Sequence, residues 1–432
     1  MLNLSNRASS KDVASLTFHD SNFTKWQALQ ASLREVGVSG AFKLGIVAEP
    51  YESEFGHKSM VHFANPYEDL TIDNDGKLSG DKEAPLMIQS LPSYSTVEEV
   101  EAIKAQTVAM PETCEMLFAL AQARAISNML LLEGDTAIGK TFTIELFTKI
   151  LYGPSVSPFD FYCNGQTDVS DLLGTWTPKT SNAEDREKWN RFIASEEGLK
   201  RFEELVDAPG LPEGRDLTDR QRALSHHLQE LAKSIGLSSG AQWSFTPGAL
   251  GMCYEGKFDP ESRSLVSASG GNGFVLHVQE IGRARAIVAN ALLETRGKNG
   301  RMNDSLQLWR NGGQKLTRGS DALIVISNNP EEDSSFQGIN SLDKALLRGL
   351  MSVKFLEGLS PYSLAMASDQ YFRYERSNTP EHKPFNCLLE LYNYPDDIGR
   401  MLGSVMSVFH GKFTKALSSS AGSRSKDLVV PS

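Results

Sequence analysis

The chain has 432 residues, 40% apolar and 22% charged, which is ordinary for a soluble globular protein of two to three domains. No apolar run approaches the roughly 18–20 residues that a membrane-spanning helix needs. A net charge of −11 counts against general nucleic-acid binding, because neutralising phosphates takes a basic surface.

The four cysteines (Cys114, Cys163, Cys253, Cys387) are far apart, with no CxxC pair, which predicts reduced thiols in a cytoplasmic protein. Residues 1–5 lack the basic-then-apolar pattern of a secretory leader. The eight histidines form no metal-binding spacing, and His226-His227 lies in a polar helical stretch that suits a solvated face.

In chain order, residues 1–110 read as a small α+β accessory unit. Helical spacing over 22–36 (Trp26, Leu29, Leu33, Val36) precedes strand patterns over 41–48 and 60–64. Asp75-Gly76, between alternating apolar residues in 70–78, signals a hairpin. Pro92 and its polar neighbours mark 90–96 as a linker. No catalytic pattern is recognisable in this unit.

From Pro111 the texture changes. Residues 111–128 carry apolar side chains at helical spacing behind a starting proline. The apolar run 129–132 suits a buried strand, and it leads into Gly134-Asp135-Thr136-Ala137-Ile138-Gly139-Lys140-Thr141 and a helical stretch over 142–151. Strand, glycine loop and helix in this order form a phosphate-binding loop. Its glycines let backbone N–H groups curl toward phosphates, and the helix adds its N-terminal dipole. Lys140 would reach the β- and γ-phosphates of ATP, and Thr141 would place its hydroxyl on Mg²⁺. Residues Gly134 through Thr141, with Phe142, are the nucleotide-binding candidates; a glycine turn capping a helix is the plain alternative.

A polar stretch over 179–244 holds charged helical segments, 184–208 and 217–235, broken by Pro209-Gly210-Leu211-Pro212. The apolar strand 273–278 then runs into Gln279-Glu280. An acid at a strand end beside such a loop can hold a metal and activate water, so Glu280 is the candidate general base and second metal residue. Gln279 stands where such sites usually carry Asp, and a neutral carboxamide cannot hold a hydrated Mg²⁺ with a full charge. If that missing charge limits hydrolysis, Gln279→Asp should raise turnover. A further strand over 322–327 ends in Ser327-Asn328-Asn329-Pro330, where an amide at the tip can position the attacking water. Asn-Pro also reads as ordinary turn chemistry. The stretch 251–273, ending in Gly270-Gly271-Asn272-Gly273, reads as a solvated excursion or, alternatively, a substrate-facing pore loop.

Taken in order, these pieces resemble an AAA+ ATPase module of the MoxR and dynein/midasin-related branch. The carriers are Leu130-Leu131-Leu132-Glu133-Gly134 before the loop, the box from Cys163 to Gly174 around Asp168, and Phe245-Thr246-Pro247-Gly248-Ala249-Leu250. Glu280-Ile281-Gly282-Arg283-Ala284 and Asn290-Ala291-Leu292-Leu293-Glu294 extend the likeness, with Gly282 where Asn is usual. It implies a sensor role for Asn329. It implies an arginine finger at Arg348, in Leu342-Asp343-Lys344-Ala345-Leu346-Leu347-Arg348, completing a neighbouring subunit's site. Arg348 as a helix-end cation and Arg424 as part of a basic tail are the plain readings; in the family's terms Arg424 is a second sensor.

The expectation is therefore an α/β fold with a three-layer P-loop AAA+ core and a parallel sheet over 111–358. A helical C-terminal lid spans 359–432 and a small α+β domain spans 1–110. The resemblance implies ATP and Mg²⁺ as ligands, a homo-oligomeric ring, in the family a hexamer, and a protein substrate or partner that is remodelled or matured, such as a von Willebrand A-type protein. Two other functions stay open: a hydrolysis-poor, nucleotide-gated scaffold, and a nucleic-acid translocase, against which the acidic balance weighs.

Overall fold

A computed structural model describes residues 44–65, 70–72, 78–80, 87–107, 109–134, 138–179, 183–206, 217–237, 242–267, 270–297, 301–329, 344–347 and 350–355. The helical pattern over 22–36, the loop residues Asp135, Thr136 and Ala137, Arg348, Arg424 and the lid over 359–432 lie outside the described residues.

The chain enters through β1 (Ile46–Pro50) and β2 (Ser59–Ala64). The hairpin signal corresponds to β3 (Leu70–Ile72) and β4 (Leu78–Gly80), an antiparallel pair. β5 (Ile88–Ser93) then completes an antiparallel sheet in the order β1-β2-β5. This corrects the linker expected over 90–96. Pro92 sits opposite Met60 on an edge strand, where its missing N–H costs no ladder bond on the open side. Helix α1 (Val97–Ala105) follows at once, closed by a reciprocal capping box between Thr96 and Glu99.

Helix α2 (Pro111–Ala125) starts on its proline, and β6 (Leu130–Gly134) leads into α3 (Lys140–Tyr152). The first sheet packs on these helices rather than standing apart. Ile46, Val61, Phe63 and Leu91 share one core with Met116, Leu117, Ile144 and Phe147. The Ser93 hydroxyl donates to the carbonyl of Ile150 (2.8 Å), and the Tyr94 N–H to that of Leu151 (2.7 Å), stitching the sheet to the end of α3.

After β7 (Phe159–Tyr162) and the short helix α4 (Val169–Leu173), an antiparallel ribbon of β8 (Gly174–Lys179) and, later, β9 (Gln242–Pro247) carries three helices. These are α5 (Ala183–Ala194), α6 (Glu196–Val206) and α7 (Leu217–Ser234). The charged helices expected there bury their own small core of Trp189, Phe202, Leu224, Leu228 and Leu231. His226 and His227 are exposed, as expected.

Helix α8 (Ala249–Glu255) precedes a hairpin of β10 (Lys257–Asp259) and β11 (Ser264–Ser267). This hairpin corrects the solvated excursion expected over 251–273. Phe258 inserts among Tyr94, Tyr152 and Phe274, with ring centroids 5.1, 5.0 and 6.0 Å away, and Arg263 pairs with Glu99 at 2.5 Å. Polar composition hid one aromatic anchor.

β12 (Val275–Gln279), helix α9 (Ala286–Ala291), the hairpin β13 (Ser305–Leu308) and β14 (Gln314–Thr317), β15 (Leu323–Asn328), the helical turn α10 (Lys344–Leu347) and β16 (Met351–Phe355) complete the described chain. β16-β6-β15-β12-β7 form one all-parallel sheet. Its central strands are continuous apolar runs because both faces are covered. Leu130, Leu132, Val275, Leu323 and Val325 meet α2 and α3, while Leu131, Leu276, Val278, Ile324 and Ile326 meet α8 and α9. Helix, sheet and helix give the three-layer α/β architecture.

Candidate functional site at the C-terminal edge of the parallel sheet

Ligand sites of open parallel sheets lie beyond the carboxyl ends of the strands. Here β6, β15 and β12 are adjacent and in register, with Asn328 opposite Glu133 and Gln279 opposite Ser327. Their ends therefore deliver the Gly134 loop, Asn329 and Glu280 to one edge.

Gly139 caps α3 with φ of 86°, a left-handed conformation in which a side chain is strained even though nothing crowds its Cβ position. Ile138 is buried, and Thr141 and Phe142 at the start of α3 are exposed. The Lys140 ammonium donates to the Gly134 carbonyl (2.5 Å) and to the Oδ1 of Asn329 (3.3 Å). The loop lysine and the amide at the tip of β15 thus meet across the edge.

Glu280 leaves β12 in a left-handed conformation, φ 54° and ψ 44°, at a cost of about 1–2 kcal/mol for a residue with a Cβ. Its N–H bonds the Ser327 carbonyl (2.9 Å), and its Oε2 pairs with the Nε of Arg283 at 2.7 Å. Both side chains are nearly half exposed, so the carboxylate is reachable from solvent.

Beneath these tips lies a polar layer that sequence reasoning missed. His277 is fully buried on β12; its Nδ1 donates to Asp160 Oδ1 on β7 (2.8 Å), and its Nε2 bonds the Ser327 hydroxyl on β15 (2.9 Å). Gln279 donates its Nε2 to the same Asp160 oxygen at 2.8 Å. Burial raises the Asp160 pKa, but the His277 and Gln279 hydrogen bonds outweigh it and hold the carboxyl below its ordinary value. The available signal was a lone Asp in the aromatic β7 and a lone His inside the apolar run of β12.

Asp168, in the box around the second strand, accepts hydrogen bonds from the N–H of Val169 (2.7 Å) and the hydroxyl of Ser170 (3.0 Å), which makes it the N-cap of α4. Cys114, Cys163 and Cys253 are buried thiols outside any disulfide. Burial pushes each up to about 12, with the Glu280 charge adding to the effect at Cys163.

Among the described residues, no group of three or more His, Cys, Asp or Glu side chains could hold a metal by itself. Mg²⁺ needs no such group, because it keeps several waters and is usually held by one or two protein oxygens plus substrate phosphates. Thr141 and Glu280 at the loop edge are residues of that kind. No described helix is long and apolar enough to cross a membrane.

No protein-family model matches the chain, and no curated protein does. Among solved structures it is similar to a Cytophaga hutchinsonii protein described as a "putative ATPase", at 12% identity and a TM-score of 0.34. The match covers 67% of this chain and 57% of that one, less than two thirds of that protein's length. The fold rests on the strand order and packing described above.

Proposed function

We propose that the chain binds ATP with Mg²⁺ at the Gly134–Phe142 loop and hydrolyses it. One observation carries the reading: the Lys140 ammonium sits 3.3 Å from the Asn329 amide oxygen, at the edge where Glu280 also emerges. Lys140 then neutralises the β- and γ-phosphates, and Glu280 takes the proton of the attacking water. Asn329 orients that water. Thr141 and Glu280 would hold Mg²⁺, which would neutralise charge on the phosphates. Following the AAA+ resemblance of the MoxR branch, Arg348 acts in trans within a cytoplasmic homo-oligomeric ring, and turnover drives remodelling of a protein partner.

The test is ATP binding and steady-state hydrolysis by the full chain beside Lys140→Ala and Arg348→Ala. Binding that Lys140→Ala abolishes, with turnover that rises with protein concentration and is lost in Arg348→Ala, is the expected result. Wild-type protein that binds no ATP overturns the reading.

A second reading, a nucleotide-gated scaffold with little hydrolysis, is favoured by the neutral Gln279 and by the Glu280–Arg283 pair. Tight ATP binding and assembly without turnover would select it.

A further inference from the structure

We propose that Asp160 is a positioning residue that locks the Gln279 amide with its oxygen turned toward the nucleotide loop, so that a neutral side chain can accept from Mg²⁺-bound water. The proposal rests on the ATP reading above.

A carboxylate only accepts hydrogen bonds, so the group Gln279 presents to Asp160 at 2.8 Å has to be its NH₂. The other end of the amide, Oε1, is the acceptor that this bond leaves unengaged by Asp160. On the side of β12 opposite β7 stand β15 and then β6, whose end leads to Gly134. Asp160 is itself held in place, because its Oδ1 also accepts from His277 Nδ1 at 2.8 Å, and His277 is tied to Ser327 on β15. The chain across three strands holds Asp160 in place and makes the NH₂ the end of Gln279 that faces it. The negative charge that an acid at 279 would carry is retained one strand away, on Asp160, and reaches the tip through the polarised amide.

This changes the expected effect of Gln279→Asp. Alone, that substitution sets two carboxylates against each other where a donor now meets an acceptor. Paired with Asp160→Asn, it restores a donor–acceptor pair with the charge moved to position 279.

The experiment measures the dissociation constant of a fluorescent ATP analogue with Mg²⁺ and with EDTA, for wild type, Asp160→Asn, Gln279→Asp and the double exchange. The readout is the ratio of the two constants, with thermal melting alongside. Asp160→Asn should shrink the gain from Mg²⁺ by about 3- to 10-fold, the scale of one hydrogen bond's net contribution. Gln279→Asp should show no larger gain than wild type, and the exchange should recover at least the wild-type ratio. An Asp160→Asn protein that melts lower yet keeps the full ratio would reduce Asp160 to a structural role and overturn the proposal. So would an exchange no better than Asp160→Asn alone. Wild type that binds no ATP would instead sink the ATP reading, and the Lys140→Ala control separates the two failures.

Discussion

The Lys140 ammonium and the Asn329 side chain meet at 3.3 Å although 189 residues separate them in sequence. The contact exists because β6 and β15 are parallel neighbours whose carboxyl ends coincide. An amide at this point can share a cation with phosphate oxygens and hold a water beside them. Asn329→Ala should lower kcat by about 10²-fold, as removal of a single oriented donor does elsewhere, with ATP affinity changed little. Asn329→Asp should instead weaken ATP binding, since a carboxylate at the same place competes for Lys140. Comparing kcat with nucleotide affinity for both variants checks the assignment; equal loss of affinity in both would contradict it.

Glu280 is paired with Arg283, and a half-exposed pair of this kind contributes about 0.2–1 kcal/mol. If the carboxylate has to leave Arg283 to accept a proton, Arg283→Ala should raise basal turnover, by at most about 5-fold, the factor that energy allows. Glu280→Gln should cut turnover by about 10²–10⁴-fold while ATP still binds. Single-turnover kinetics of both variants is the measurement, and faster turnover in Glu280→Gln would remove it from the general-base role.

Arg124 and Asp321 form a buried ion pair at 2.7 Å, each side chain 3% exposed, at the opposite end of the sheet from the loop. The Tyr94 hydroxyl adds a bond to Asp321 at 3.3 Å; burial, with the Asp321 charge, pushes that phenol up to about 12. Asp321→Ala leaves a guanidinium buried without its counter-ion, a loss of about 3–5 kcal/mol. Chemical denaturation should report a shift of that size. A change below about 1 kcal/mol would mean that the site relaxes to admit water.

The β10–β11 hairpin is fastened by Arg263 to Glu99. Burial raises the Glu99 pKa, but the Thr96 N–H and Arg263 outweigh it, so its folded value lies below the ordinary one. A lowered folded pKa means the stabilisation is present above the unfolded value, about 4.3, and is lost as pH falls through the folded value. Glu99→Gln should therefore melt below wild type at pH 7, and the gap should begin to narrow once the pH falls below about 4.3 and close as it passes through the lower folded value. A gap independent of pH would assign the effect to packing.

Gly174 joins α4 to the β8–β9 ribbon at φ of 112°, where an added Cβ would lie 2.5 Å from the Phe245 ring and 2.6 Å from the Thr246 carbonyl. Gly174→Ala should cost more than about 2 kcal/mol, combining left-handed strain with a backbone clash. Proteolysis between 179 and 242 would register the loosened ribbon, and an unchanged cleavage rate would argue against that geometry.

What the sequence determined by itself is local or contiguous. Gly134 to Thr141 reads as a phosphate loop because all its parts lie on one short stretch, strand before and helix after. The apolar runs of β6, β12 and β15 announce a sheet buried on both faces, since no solvated face imposes alternation. The polar stretch over 179–244 was legible as helices, but its own core was not, because it depends on helices meeting side by side.

Tertiary structure alone decided whatever depends on strand order. Whether Pro92 marks a linker or an edge strand turns on which side of β5 is left open, a fact about neighbours rather than about residues 90–96. The hairpin over 257–267 is anchored by Phe258, for which Tyr94, Tyr152 and Phe274 from three distant segments leave room, and by the pairing of Arg263 with Glu99. Most of all, Gln279 looked like a lost charge. The carboxylate facing it is Asp160, 119 residues away in sequence and one strand away in space. Parallel pairing of β7 with β12 is what brings them within a hydrogen bond; the sequence marks Asp160 as an odd residue in its strand but does not say which strand lies beside it.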